Sequence, residues 1–253
     1  MEGTMPSLIF KELIKMKKIF MMGDSTMKYN NIFRYPQVGW GQVLHLFAKN
    51  DWLIEDHAEN GRSTKSFRDE GRFDVILDRM TEGDYVICQF GHNDEKQQDP
   101  TRYTEPYGSY QENLSYFAKK VSEKGGHILF ATSITRHKFE DGKCVNSHMD
   151  YPQAMLDFAK ENGYTCIDLN RLTMELYTKL GEEETKKFHM IFPAGMYDAH
   201  PEAKDDHSHL RYEGALMIAE LFVRAVEKTE DPIRECFLDL SEKEMIDEKM
   251  LID

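Results

Sequence analysis

Apolar positions along the chain fall into two kinds of stretch. Short dense runs at Lys18–Met22, Trp52–His57, Tyr85–Phe90, His127–Thr132 and Tyr164–Leu169 read as strands. Longer stretches carry apolar residues three or four apart. Tyr110–Glu123 places Leu114, Phe117, Ala118 and Val121 on one helical face and stops at Gly125-Gly126. Tyr151–Glu161 repeats the pattern with Met155, Phe158 and Ala159 and ends at Asn162-Gly163. Tyr212–Val226 supplies a last long helix through Leu216, Ala219, Leu221, Phe222 and Val223. Strands alternating with helices predict a doubly wound α/β domain on a parallel sheet.

No internal repeat, low-complexity tract or linker rich in Pro and Gly divides the chain. Residues 1–15 read as an N-terminal extension, with Met16 as a second possible start, residues 16–227 as the domain, and 228–253 as an acidic tail. In that tail Ile233, Cys236, Phe237 and Leu240 keep helical spacing, and Ser241-x-x-Glu244 resembles a capping box. The expectation is a helix packed on the body or at a subunit contact.

Composition narrows the function classes. With 253 residues, 40% hydrophobic and 11% aromatic, the chain has material for a core and is not a disordered one. The 32 Lys+Arg against 45 Asp+Glu give a net charge of −13, which argues against a phosphate-coating, nucleic-acid-binding surface. Nine acids and four bases put −5 of that charge in residues 228–253, so an anionic sugar remains compatible with the rest. No apolar run approaches the ~20 residues of a membrane span. The start, charged at Lys11, Glu12, Lys15, Lys17 and Lys18, builds no signal-peptide stretch. The four cysteines form no C-x-x-C pair, and Cys88 and Cys166 sit in apolar runs as expected of buried thiols. A cytoplasmic, reducing location is expected, with no membrane partner and a monomeric or homodimeric state.

Ligands of parallel α/β sheets collect beyond the carboxyl ends of the strands. The strings found there are Gly23-Asp24-Ser25-Thr26, Asn60-Gly61-Arg62-Ser63, Gly91-His92-Asn93-Asp94 and, before the last helix, Asp205-Asp206-His207-Ser208-His209. Each alone is weak, since Ser25 could merely cap a helix. Together they suit acyl transfer, which needs a nucleophile, a base, an orienting acid and oxyanion donors. An Asp-x-x-His pair can share one face of a turn or short helix, and a Gly amide and an Asn carboxamide are suitable oxyanion donors.

GDST, the Gly of NGRST, GHND and DHSHL, in this order and spacing, resemble the blocks of the SGNH (GDSL-type) hydrolases. GDST, GWGQ, NGRSTKSF, GHND and DHSHLRYEGA are similar, more closely, to the rhamnogalacturonan acetylesterases, carbohydrate esterase family twelve, over roughly residues 17–227. The resemblance implies a flavodoxin-like three-layer α/β/α sandwich with five parallel strands in the order 2-1-3-4-5. It implies Ser25 as nucleophile, His209 as general base and Asp206 orienting it. The Ser25 and Gly61 amides and the Asn93 side chain would form the oxyanion hole. Asp206 to His209 is the only Asp-x-x-His spacing in DDHSH, which favours His209 over His207. The implied reaction is removal of O-acetyl groups from carbohydrate, in the first place from acetylated pectic (rhamnogalacturonan-type) oligosaccharides, through an acetyl-serine intermediate and with no metal or organic cofactor.

Other readings stay open at this level. A deacetylase of xylan-type or other acetylated sugars, a small-acyl esterase or thioesterase, and a carbohydrate-binding module on the same fold all share the scaffold. The run Asp198 to His209 is rich in metal-ligand residue types but lacks an H-E-x-x-H or Cys/His spacing. Substrate-side candidates are Asp24, Trp40, Arg62, His92 and Arg136. Trp40 reads either as a sugar platform or as an aromatic closing the first helix on the sheet, and His92 either as a catalytic neighbour or as a loop-orienting hydrogen bonder. Arg62 and Arg136, with Lys65, Arg68 and Lys138, are placed to meet uronate carboxylates or to be solvated loop charges.

Overall fold

The computed structural model describes residues 16–241 and 243. The N-terminal extension and Glu244, the second half of the capping box, therefore lie outside the described residues. Five parallel strands form the central sheet: β1 (Lys17–Gly23), β2 (Trp52–Asp56), β3 (Tyr85–Gln89), β4 (His127–Ala131) and β5 (Cys166–Ile167), ordered β2-β1-β3-β4-β5. The main helices are α1 (Trp40–Val43), α2 (Thr64–Asp69), α3 (Arg72–Arg79), α4 (Gln111–Glu123), α5 (Tyr151–Asn162), α6 (Leu169–Leu180) and α7 (Tyr212–Glu227).

The sheet separates two apolar clusters, and the period of two along each strand assigns the side chains. Ile19 and Met21 of β1, with Ile87 and Leu129, pack against α1, α7 and the start of α6. Phe20 and Met22, with Val86, Cys88 and Phe130, pack against α2 to α5. Both faces are covered, which is why KIFMM reads as an unbroken apolar run rather than an alternating one. No helix among the described residues is long and apolar enough to cross a membrane, and all four cysteines are free thiols.

Three elements depart from the sequence expectation. The predicted strand Tyr164–Leu169 shrinks to Cys166–Ile167, because the Asp168 side chain accepts from Arg171 N at 3.1 Å and caps α6. A two-stranded antiparallel hairpin, β6 (His189–Phe192) and β7 (Lys204–Leu210), stands apart from the central sheet. The Asp206–His209 string thus lies in a turn bulging from a strand, not on a short helix. In the tail, a 3-10 helix at Pro232–Cys236 delivers Ile233, Cys236, Phe237 and Leu240 into the core on the α7 face. Leu238 N donates to Phe47 O at 2.8 Å, so the described part of the tail packs on the body.

Candidate active site

Ser25 lies in the turn that follows β1, and its surroundings pin that turn from below. Gly23 is squeezed there, since a Cβ would stand 2.7 Å from Gln89 O on the neighbouring strand. Asp24 Oδ1 accepts from Thr26 N at 2.9 Å and from Thr26 Oγ1 at 2.8 Å. Gln89 Nε2 donates to Thr26 Oγ1 at 2.9 Å, and Trp40 Nε1 donates to Gln89 Oε1 at 2.7 Å. The indole is fully buried, 5.1 Å from the Phe222 ring. Trp40 is therefore no sugar platform: it closes α1 on the sheet and ends a relay that holds the serine turn. Asp24, also fully buried, cannot touch a substrate. Its carboxyl is desolvated, yet the charge and proximity of His92 and the donors of Thr26 hold it below the usual carboxylate range.

A bulge brings His209 to Ser25. Met190 pairs with Asp206 and His189 with Leu210, so His207, Ser208 and His209 bulge out of the ladder between them. Asp206 Oδ1 accepts from Ser208 N and His209 N, both at 3.0 Å, which turns the bulge back on the carboxylate. His209 Nδ1 then meets Asp206 Oδ2 at 2.8 Å, and His209 Nε2 lies 2.9 Å from Ser25 Oγ. Burial works against the Asp206 charge, but His209 and the two backbone donors hold its carboxyl well below the ordinary range. An ionised Asp206 accepts the Nδ1 proton, leaving Nε2 bare to accept from the Ser25 hydroxyl. His207 is turned elsewhere, its Nδ1 donating to His137 O at 2.9 Å and its Nε2 3.0 Å from Asp205 Oδ1.

Two further strand ends bring in hydrogen-bond donors. Gly61, after β2, adopts a left-handed φ of 73°, a conformation that favours glycine, just before the Ser63 cap of α2. Asn93, after β3, is buried, and its Nδ2 donates to Arg62 O at 3.1 Å. Asp94 beneath it accepts from Thr64 N at 3.0 Å and Thr104 Oγ1 at 3.0 Å, tying this loop to α2 and to the loop beyond. His92 is buried with Nδ1 3.2 Å from Asp24 Oδ2 and its ring 4.2 Å from that of His148, so it supports the loops from inside.

The basic candidates divide. Arg136 is spent inside the protein: Nε donates to Ser208 Oγ at 3.1 Å, Nη1 to Ser147 O at 2.8 Å, and Nη2 pairs with Glu95. It buttresses the bulge and is not a carboxylate receptor. Arg62 pairs with Glu70 at 2.9 Å and borders a cavity of about 590 Å³ that is also lined by Gly61, Lys65, Asp69, Glu70 and Arg102. Arg102, which no motif marks, donates from Nη1 to Asn93 Oδ1 at 3.2 Å. Among the described residues no three His, Cys, Asp or Glu side chains converge as a metal site, the run 198–209 included.

No protein-family model matches the chain. It is 36% identical over 230 residues to the rhamnogalacturonan acetylesterase RhgT of Bacillus subtilis, covering 90% of this chain and 97% of that one. The crystal structure of YxiM of Bacillus subtilis superposes with a TM-score of 0.71 at 26% identity, over 84% of this chain and 56% of that one. The acetylxylan esterase Axe2 of Geobacillus stearothermophilus, 13% identical, shares the fold at a TM-score of 0.60 over 84% of this chain and 95% of that one. With identity to RhgT running through nearly the whole of both chains, the protein belongs to the rhamnogalacturonan acetylesterase family, on the SGNH hydrolase fold.

Proposed function

We propose that the protein is a serine esterase that removes O-acetyl groups from carbohydrate, its substrates being acetylated pectic oligosaccharides. The observation that carries the reading is the run of contacts from Ser25 Oγ through His209 to Asp206, at 2.9 and 2.8 Å. Ser25 Oγ attacks the acetyl carbonyl carbon as its proton passes to His209 Nε2. Asp206 stabilises the imidazolium that forms. The oxyanion is met by the Ser25 and Gly61 amides and by the N–H of Asn93 Nδ2 that Arg62 O leaves free. On collapse the bond between carbonyl carbon and sugar oxygen breaks, and His209 returns its proton to that oxygen. Water, deprotonated by His209, then attacks the acetyl-serine and releases acetate, restoring the Ser25 hydroxyl.

Two things support a pectic substrate. RhgT is named for rhamnogalacturonan, a polymer that carries uronate carboxylates. The cavity beside Gly61 is lined by Arg62, Lys65 and Arg102 as well as by Asp69 and Glu70; Arg62 and Arg102 are paired with Glu70 and Asp99, while Lys65 Nζ is held by the Pro100 carbonyl at 2.6 Å rather than by a carboxylate. Acetate release from acetylated pectic, xylan and mannan oligosaccharides tests the reading. Ser25→Ala should abolish release from all of them. The pectic series should show the highest kcat/KM, and Lys65→Met should raise KM for it about tenfold more than for the neutral series, the scale of one charged hydrogen bond. Equal shifts across the series would remove the carboxylate pocket, and full activity in Ser25→Ala would remove the mechanism.

A further inference from the structure

We infer that Arg102 is a positioning residue that fixes which edge of the Asn93 carboxamide faces the reacting acetyl group. The inference rests on the reading of Asn93 as an oxyanion donor. An asparagine side chain has two orientations related by a half-turn, and only one presents N–H to the oxyanion. Arg102 Nη1 donates to Asn93 Oδ1 at 3.2 Å, and Asn93 Nδ2 donates to Arg62 O at 3.1 Å. A guanidinium can only donate and a backbone carbonyl can only accept. The half-turn would set NH2 against guanidinium and oxygen against oxygen, losing both bonds and adding two repulsions. The carboxamide is therefore locked with its second Nδ2 hydrogen available to the substrate.

Arg102 is itself held before any substrate arrives. Its Nε donates to Asp99 Oδ2 at 2.7 Å, while Thr101 N and Oγ1 donate to the other carboxylate oxygen at 3.0 and 2.6 Å. The guanidinium also stands beside a second oxyanion donor, since a Cβ on Gly61 would lie 3.7 Å from Nη1. A fixed positive charge drawing on Asn93 Oδ1 polarises the amide and strengthens its N–H as a donor. Orientation and polarisation act on the same bond, the one that forms only as the carbonyl oxygen gains charge.

Steady-state kinetics on a small neutral acetyl ester, with melting temperatures as a control on folding, test this in five proteins: the unmodified chain, Asn93→Ala, Arg102→Ala, Arg102→Lys and the Asn93→Ala/Arg102→Ala double variant. Asn93→Ala should lower kcat about 100- to 1000-fold, the loss measured for one oxyanion donor elsewhere. Arg102→Ala should lower kcat about 10- to 100-fold with KM changed less than about twofold, and Arg102→Lys should recover part of the loss. The double variant should match Asn93→Ala within about twofold, because Arg102 acts only through the carboxamide. Losses that multiply in the double variant, or an Arg102→Ala variant with unchanged kcat, overturn the inference. An Asn93→Ala variant of full activity overturns the oxyanion reading and this inference with it. Should Arg102→Ala not fold, the Lys substitution in the two Asn93 backgrounds carries the same comparison.

Discussion

Asp206 accepts three hydrogen bonds, two from the backbone of its own bulge and one from the His209 ring. The same carboxylate shapes the turn and holds the His209 ring, so the position of the imidazole is set by residues three apart in sequence. The neighbouring His207 is engaged by His137 O and Asp205 and has no such role. His209→Ala should therefore lower kcat about 10⁴-fold or more, while His207→Ala stays within about twofold, measured as acetate release. The reverse result would exchange the two histidines. The strings that hold Ser25, Gly61, Asn93, Asp206 and His209 could be picked out by their spacing, and the structure brings Ser25, His209 and Asp206 into one run of contacts. Sequence left Trp40 open between sugar platform and helix closure, and it put Asp24 and Arg136 on the substrate side, because it does not tell which way a side chain faces; Trp40 and Asp24 are buried and Arg136 is engaged by Ser208, Ser147 and Glu95. The relay from Trp40 through Gln89 to Thr26 exists only once β1 and β3 lie side by side. Arg102, nine positions beyond Asn93, meets it through a loop with no motif of its own.

The hairpin and the helix after it form one device for carrying His209. α7 packs so closely on the segment before β6 that a Cβ on Gly214 would stand 2.2 Å from Phe188 O, and Arg211 N donates to that same oxygen at 2.9 Å. Gly214→Ala must push α7 away from its neighbour and move the end of β7. It should cost about 1–3 kcal/mol of stability and also lower kcat. Gly163, at the end of α5 with φ of 73° and open space around its Cβ position, gives the contrast. Gly163→Ala should cost about 1 kcal/mol with kcat unchanged, since only backbone strain is added far from the reacting groups. Denaturant melts and kcat on the two variants separate the cases, and equal kcat in both would show that α7 does not set the position of His209. The helices at 110–123, 151–162 and 212–227 were readable from their spacing. α6 was hidden because its apolar start continued the run of β5, and only the Asp168 cap divides them. The hairpin was hidden because β7, KDDHSHL, carries almost no apolar signal to alternate.

At the scale of the molecule, the two halves of the site share a buried polar floor. His148 lies under it, facing His92, Glu95 and Arg136, and burial pushes its pKa down to about 4. The unfolded chain binds that proton below about 6.5, so between the two values unfolding takes up a proton and stability falls as pH falls. The slope for one such proton is at most about 1.4 kcal/mol per pH unit. The Glu95 carboxyl, held low by His148 and Arg136 despite its burial, adds loss in the same direction at still lower pH. Asp94 opposes them, because burial pushes its pKa up to about 7 and its contribution is lost as pH rises. Melting temperature recorded from pH 7 to 4.5 should fall less steeply in His148→Gln than in the parent chain, and identical slopes would exclude His148 as the acid-sensitive group. The Ser25–His209 contact closes a span of 184 residues. Closing a loop of that length carries an entropic cost that nearer pairings within the sheet reduce. Neither end of that span is reactive without the other, so turnover reports directly on whether the hairpin is seated against the sheet.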